Sequence, residues 1–553
     1  MPPRARRLEA LAGEPFDLLV IGGGITGCGV ARDAALRGLR VALVEKNDFG
    51  SGTSSRSSRL VHGGLRYLEH GYLHLVFEAS AERRRLLRLA PHLVKPLEFV
   101  WPVYTGARVP RWKLGAGLML YDALSLFRNV GAHRQMSARQ IAAREPALRR
   151  EGLVGGARYF DAATDDARLT LVNALGASEA GAVVVNHAEV CELIVRDGIA
   201  RGARVTDTLG GRDLIVEARV VVNAAGPWSD DVRRLEGDAT AHPGTRGSKG
   251  VHIAVPRDRI GNRGALTLLS PRDGRVMFVL PSNGQTIIGT TDTYTASSPD
   301  DVRASLSDVA YLLDSANAFF PAAHLTGEDV VSTWAGIRPL LPSSDGDGAE
   351  ADPGSASREH AIALSPRGVV TITGGKLTTY RVMAAEVVDA AVAQLPSDRR
   401  PAGIAGRTPT RDTALPGGDL AYIDSAVDAA RGTLGDDGDD ALAAHLVHAF
   451  GSRWPRVADE IRRDGGAERV VEELPYTLGE MRYAVREEMA CTLGDLLVRR
   501  THVAFQTRDH GRAAAPRVVA AVEGVKDFHS REALADYELE VQRMFGLARS
   551  SEG

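Results

Sequence analysis

Gly22-Gly23-Gly24-Ile25-Thr26-Gly27 sets glycines at the first, third and sixth positions of a G-x-G-x-x-G run. That spacing suits the holding of a pyrophosphate. Gly22 allows a tight turn, Gly24 lets backbone amides approach the phosphates, and Gly27 lets the next helix pack on a sheet. The helix entered through Ile25 and Thr26 points its positive dipole end at the anion. Glu45 follows about twenty residues later, where a carboxylate accepts both hydroxyls of an adenosine ribose. A ligand-free glycine turn explains the six residues alone. It does not explain them together with Glu45, a strand before them and a helix after them.

Two more stretches bring backbone near the same ligand. Val220 to Trp228 is an apolar strand ending in small residues and Gly226, which lets the chain pass close to a cofactor. Thr373-Gly374-Gly375-Lys376-Leu377-Thr378-Thr379-Tyr380 is a Gly-Gly turn entering a helix. That helix start is able to face the electron-rich edge of a flavin. Each alone reads equally as a turn. Three separated approaches suit a long cofactor, FAD, better than NAD.

The positioning elements follow from pattern. Phe16 to Ile21 is a short apolar run suited to a buried parallel strand. Thr26 to Arg37 predicts a helix, ended by Gly38, and Val41 to Val44 a second strand, closing a βαβ unit. Tyr72 to Ala90 predicts a long amphipathic helix. Residues 181–186 and 220–223 predict strands. Residues 342–357, rich in Ser, Asp and Gly, predict a surface loop. Residues 396–418 read as a linker into a helical unit that runs to about residue 545. Asp436-Asp437-Gly438-Asp439-Asp440 lacks the calcium-loop pattern and reads as a helix-to-helix turn.

Composition excludes whole classes. The chain has 553 residues, and its 67 basic and 70 acidic residues leave no field to recruit nucleic acid. An ordinary share of apolar and charged residues excludes a disordered tail and a collagen. Three scattered cysteines, Cys28, Cys191 and Cys491, offer no metal-ligand spacing, so no metal site is expected. The arginine-bearing N-terminus lacks an apolar core and does not read as a signal peptide. No run is long and apolar enough for a spanning helix. Trp112 to Tyr121, flanked by Arg108, Arg111 and Lys113, fits an interfacial helix, but a buried helix is the preferred reading.

Against this background, Ser57-Ser58-Arg59-Leu60-Val61-His62-Gly63-Gly64-Leu65-Arg66-Tyr67-Leu68-Glu69 resembles the signature of FAD-dependent glycerol-3-phosphate dehydrogenases. So do Lys249 to Ile253, Gly289 to Asp292, Gly336 to Leu340, Gly374 to Arg381, and Glu487 to Ala490 with Thr492 to Thr501. The resemblance runs in order over about residues 15 to 505. It implies an α/β and α+β fold: a Rossmann-like FAD-binding domain interwoven with a β-sheet substrate domain, then a helical C-terminal domain. The oxidoreductase region spans residues 15–395. Its FAD-binding part draws on about 15–90, 165–240 and 355–395, and its substrate part on about 91–164 and 241–354. Residues 396–418 are the linker and 419–545 the helical domain.

The resemblance also implies the reaction. sn-Glycerol 3-phosphate is oxidised to dihydroxyacetone phosphate, with hydride passing from C2 to flavin N5 and electrons leaving to a membrane quinone. Members of the quinone-linked branch are peripheral membrane proteins at the cytoplasmic face. Oligomeric state is left open, a homodimer included. The resemblance places Arg66, Tyr67, Arg338, Arg358 and Lys376 around the substrate, where a phosphate dianion needs clustered cations. It runs His62, Gly63, Gly64 and Leu65 beside the isoalloxazine, with Thr53, Ser54 and Ser55 at the pyrophosphate and flavin. It sets Val190 near adenine, and Lys376, Leu377 and Thr378 along the flavin. Loss of hydride from C2 requires removal of the hydroxyl proton, and a neutral histidine is a natural base. His252 and His62 are the candidates. His252 is preferred, with Arg338 stabilising the developing alkoxide.

Three functions compete. The first is the quinone-linked dehydrogenase. The second is a flavin oxidase that passes electrons to oxygen, acting on glycerol 3-phosphate or on an amino acid or amine. The third is an FAD-bound scaffold without turnover. The chain lacks the cysteines of the family's anaerobic, iron–sulfur-linked branch.

Overall fold

The computed structural model describes residues 1–126, 130–237, 246–341, 359–400, 408–435, 438–525 and 527–548. Within these, the side chains of Arg66 and His70 are not described. The predicted loop at 342–357 and Arg358 lie outside the described residues.

β1 (Phe16–Ile21) pairs in parallel with β2 (Val41–Val44) on one side and with Arg212–Asn223 on the other. The connection between β1 and β2 is the helix α1 (Ile25–Leu36), one residue earlier than predicted because Gly24 is the extended N-cap. The full sheet runs His360–Leu364, Val370–Gly374, Arg212–Asn223, β1, β2, Val183–Val185, with Ala188–Arg196 and Ile199–Asp207 attached as an antiparallel extension. Stretches distant in sequence therefore build one sheet. Both of its faces are covered, as a parallel sheet requires. Leu18 and Val20 of β1 meet α1 and the helix Asp166–Glu179, whereas Leu19 and Ile21 meet the N-terminal helix Arg4–Leu11. The period-2 alternation of the strand assigns these faces.

A second sheet of ten strands holds β3 (Arg246–Pro256), β4 (Gln285–Gly289) and β5 (Ser332–Leu340). β3 lies between β4 and β5, antiparallel to both. His252 stands opposite Gly289 on one side and Trp334 on the other, and Ser248 stands opposite Arg338. Residues two apart share a face, so His252, Trp334 and Arg338 all project from one side. This mixed architecture matches the α/β and α+β class read from the sequence.

The C-terminal region is helical, from Ile423–Leu434 to Ala533–Phe545. It docks on the second sheet, where Trp334, Phe99 and Trp101 share one core with Leu497, Phe505 and Phe545. An ion network ties it to the first sheet. Asp48 accepts from Arg499 Nε at 2.8 Å and Arg500 Nη1 at 2.6 Å, and Asp495 meets His187 at 3.0 Å. These carboxylates are neutralised by side chains, which suits a structural network. The described part of the predicted linker is strapped down rather than loose. Thr410 donates to Asp33 of α1 at 2.8 Å, and Arg32 donates to the carbonyls of Thr413 and Ala414. Buried Arg32 and Asp33 demand such partners. Asp436 and Asp437 of the acidic run lie outside the described residues; Asp439 caps the helix Asp440–Phe450 through the Leu442 amide at 2.8 Å.

Candidate active site

The glycine turn opens on a cleft of about 520 Å³ between the C-terminal ends of β1 and β2 and the Gly374 turn. Gly22, Gly24, Ile25, Thr26, Glu45, Thr53, Ser54, Val190, Gly226, Lys376 and Leu377 all line it. Gly27 does not, and the reason is geometric. A Cβ on Gly27 would sit 1.9 Å from the Gly22 carbonyl, so its role is to let α1 close on the turn. Glu45 accepts from the Gly23 amide at 2.6 Å and the Asn47 amide at 2.8 Å. Burial pushes its carboxyl up against those two donors. Ser54 Oγ accepts from the Ile25 amide at 3.0 Å, and Thr53 donates to the Ile337 carbonyl at 2.6 Å. Ser55 is buried and lines none of the three cavities described here, unlike its neighbours.

At its inner end the cleft meets a smaller cavity of about 230 Å³, bounded by Ser58, His62, Tyr67, His252, Arg338, Lys376, Leu377 and Thr378. Residues from both sheets therefore converge there. His62 is held through its backbone, with its amide and carbonyl both 3.2 Å from Thr378 Oγ1. Gly63 is buried behind it and donates its amide to Asp161 at 3.0 Å. Asp161 also accepts from Tyr121 at 2.6 Å and from Arg83. Gly64 and Leu65 face a third cavity of about 430 Å³. The Nζ of Lys376 lies 3.7 Å from the ring centre of Tyr67.

His252 is buried in β3 and its Nε2 lies 2.8 Å from Ser58 Oγ. Its Nδ1 has no hydrogen-bond partner among the described residues. Burial, then the charges of Arg338 and Arg59, pull its pKa down to about 3. The imidazole is therefore neutral at physiological pH and able to accept a proton. Arg338 Nη1 lies 3.2 Å from Asp292, and its Nη2 donates to Thr290 Oγ1 at 2.9 Å. Small residues make room for both side chains. A Cβ on Gly289 would strike the His252 ring at 2.2 Å, and one on Gly250 would strike Arg338 at the same distance.

Comparison with known proteins places this geometry. The family model described as "FAD dependent oxidoreductase" matches residues 17–381, and "C-terminal domain of alpha-glycerophosphate oxidase" matches residues 408–532. A glycerol-3-phosphate dehydrogenase of Mycobacterium leprae is 40% identical over 532 residues, covering 94% of this chain and 87% of that one. The aerobic glycerol-3-phosphate dehydrogenase of Staphylococcus aureus is 36% identical over 503 residues, covering 89% and 87%. The solved glycerol-3-phosphate dehydrogenase of Bacillus halodurans, complexed with FAD, aligns with a TM-score of 0.80 at 31% identity over 99% of each chain. The chain belongs to the family of FAD-dependent glycerol-3-phosphate dehydrogenases. Its cofactor is FAD.

The residues present fit that cofactor. The cleft joins the inner cavity through Ile25, Thr53, Ser54, Lys376 and Leu377, which line both. The cleft offers the Glu45 carboxylate, the glycine turn and the helix start, and the adjoining inner cavity offers the neutral imidazole of His252.

Two residues at this site carried no assigned role in the sequence reading. Ser58 sits inside the quoted family motif and touches His252. Asp292 closes the quoted Gly289 to Asp292 motif and balances Arg338. Asp292 is buried while Arg338 is only half-buried, and a buried carboxylate needs such a cationic partner. Of the predicted substrate residues, the structure brings Tyr67, Arg338 and Lys376 to one cavity. Arg66 lies in the short turn Leu65–His70, beside Tyr67 in sequence.

Proposed function

We propose that this chain oxidises sn-glycerol 3-phosphate to dihydroxyacetone phosphate and delivers the electrons to a membrane quinone. The observation that carries the reading is the convergence of a neutral His252, Arg338, Lys376 and Tyr67 on one cavity at the inner end of the FAD cleft. Bound FAD supplies a two-electron acceptor that takes the hydride from C2. The protein supplies the rest. Nε2 of His252, on the Ser58 side, receives the hydroxyl proton. Arg338 faces the oxygen on which charge develops, and such preorganised charge in a dry site is worth several kcal/mol (about 3–4). Arg338 and Lys376, with Arg66 and Arg358 by family pattern, form the phosphate site.

The acceptor side is supported by the third cavity. It begins at His62, Tyr67 and Arg338, runs between Leu60, Phe99, Trp101 and Phe278, and ends at Leu114, Gly117 and Leu120 of α2 (Arg111–Leu124). Such a wall suits an apolar, planar acceptor. α2 has two characters. Leu114, Leu118 and Tyr121 are buried, in keeping with the preferred core reading, but Trp112 is 76% exposed, Met119 63% and Leu120 41%. A half-buried helix with an apolar outer face and exposed Arg111 and Lys113 fits attachment to a lipid surface. Among the described residues no helix is long and apolar enough to cross a membrane.

The test is anaerobic mixing of the FAD-loaded protein with glycerol 3-phosphate. The flavin absorbance bleaches, and a quinone restores it faster than oxygen does. Absence of bleaching overturns the reading, and faster recovery with oxygen makes the chain an oxidase.

A further inference from the structure

We propose that Trp334 and Phe505 are positioning residues for the base: a stack of rings reaching from the C-terminal domain holds the imidazole of His252 in its working plane. The proposal rests on the reading of His252 as the base.

A histidine base needs its ring oriented. A carboxylate or carbonyl on the far ring nitrogen is the usual device. Among the described residues His252 lacks one, since its Nδ1 is buried without a hydrogen-bond partner there. One hydrogen bond, to Ser58, leaves the ring free to swing about that axis. Packing must supply the missing restraint. Trp334, directly across the strand pair, lies nearly parallel to the imidazole, with ring centres 5.3 Å apart and planes 13° apart. On the opposite side, Gly289 leaves room for the ring and nothing more.

Trp334 is itself held from behind. Phe505, in the short helix Val503–Gln506 of the C-terminal region, meets it edge-on at 5.3 Å and 89°. Edge-to-face geometry is the favoured arrangement for such pairs. The Phe505 backbone is anchored to β5, its carbonyl accepting from Ser332 Oγ at 2.8 Å. Its ring packs against Phe545 at 5.1 Å and His502 at 5.7 Å. The guanidinium of Arg59 lies over both rings, 5.6 Å from Trp334 and 4.9 Å from Phe505. Trp334 is 1% exposed and Phe505 2%, so neither ring has space to move. The charged groups around His252 are Arg338 from β5 and Arg59, just before the short strand Leu60–Val61, and after burial itself both disfavour a positive charge on the imidazole. Loosening the stack admits water and lets the imidazole return toward its ordinary pKa.

The experiment is anaerobic stopped-flow reduction of the FAD-loaded protein by glycerol 3-phosphate, from about pH 5 to 9. Trp334→Leu lowers the limiting reduction rate by about tenfold or more. Half-saturation by substrate changes much less, and a new acid limb appears below about pH 6.5. Trp334→Phe, which keeps a flat ring, recovers most of the rate. Phe505→Leu gives a smaller loss in the same direction, and the double variant Trp334→Leu/Phe505→Leu loses less than the product of the two. An unchanged rate and an unchanged pH profile in Trp334→Leu overturn the proposal. If Trp334→Leu does not retain FAD, Phe505→Leu decides by the same criterion. His252→Asn separates the two layers. If it reduces normally, the base reading falls and this proposal with it. If it is inactive while both ring variants behave as wild type, the base reading stands and only the stack is wrong.

Discussion

The hydroxyl of Ser58 and Nε2 of His252 lie 2.8 Å apart, although 194 residues separate them and they belong to different structural elements. That bond fixes Nε2, the nitrogen proposed to receive the substrate proton, beside the Ser58 hydroxyl. Removing it leaves the ring to the stacking contact alone. Ser58→Ala should lower the rate of flavin reduction by about tenfold, the scale of one lost hydrogen bond of roughly 1–1.5 kcal/mol. FAD content should stay at the wild-type level, because Ser58 does not line the main cofactor cleft. Anaerobic reduction kinetics check this, and a wild-type rate would show that the bond does not matter.

How much of this was legible beforehand depended on the range of the physics. The glycine turn, Glu45 and β1 are short-range features, and their chemistry is written in consecutive residues. Val251 to Val255 is an apolar, strand-like run around His252, but such a run does not say that Ser58 would face His252. The face shared by His252, Trp334 and Arg338 is set by strand register, which one strand alone does not define. The half-exposed state of α2 was open for the same reason, since helix periodicity shows a face but not what covers it. The strapping of residues 408–418 to α1 follows from the buried Arg32 and Asp33, whose need for partners becomes visible only once α1 is seen to be buried on both sides.

Arg500 and Arg512 make opposite predictions about stability. Arg500 is 2% exposed and its guanidinium pairs with Asp48 across the junction between the C-terminal region and the first sheet. Arg512 pairs with Glu538, but both are well exposed. Stranding a buried charge costs about 3–5 kcal/mol; Asp48 keeps Arg499, so losing Arg500 costs less than that, but still more than an exposed pair, which is worth about 0–1 kcal/mol. Arg500→Met should therefore lower the melting temperature markedly and weaken FAD retention, because Asp48 lies three residues from Glu45. Arg512→Met should leave both nearly unchanged. Thermal melting of the FAD-loaded proteins at one scan rate makes the comparison.

Acid should destabilise the fold from about pH 6.5 downward. His92 is fully buried, with no hydrogen-bond partner on either ring nitrogen among the described residues, and burial followed by Arg168 and Arg453 pulls its pKa down to about 3. His252 is held at about 3 as well. Both folded values lie below the unfolded value of about 6.5, so as pH falls the unfolded chain binds protons first. The stability conferred by burying two neutral rings is complete above about pH 6.5. It is lost progressively toward about pH 3, at about 1.4 kcal/mol per pH unit for each ring. Carboxylates held low in spite of burial, such as Asp165 by the His502 and Arg168-amide hydrogen bonds and by Arg59, act with the same sign at lower pH. His92→Gln should reduce the slope of unfolding free energy between about pH 6 and 5 by about 1.4 kcal/mol per unit. An unchanged slope would show that His92 does not titrate with unfolding.

The outer face of α2 gives the last prediction. Trp112 and Met119 are seven residues apart, two helical turns on one side, and neither lines the cavities of the site. Leu73 and Phe77, at the start of the neighbouring helix Leu73–Leu89, are also exposed, at 43% and 47%. Water gains nothing from this surface, and a lipid interface does. Burying a large apolar side chain is worth about 1.5–3 kcal/mol, so Trp112→Ser with Met119→Ser should weaken partition onto vesicles containing an anionic phospholipid by about 100-fold. Reduction of a water-soluble dye by glycerol 3-phosphate should proceed at the wild-type rate, because the pair stands clear of the chemistry. Vesicle flotation measures the first quantity and a dye-linked assay the second. Equal flotation of variant and wild type would mean that this face is not the point of attachment.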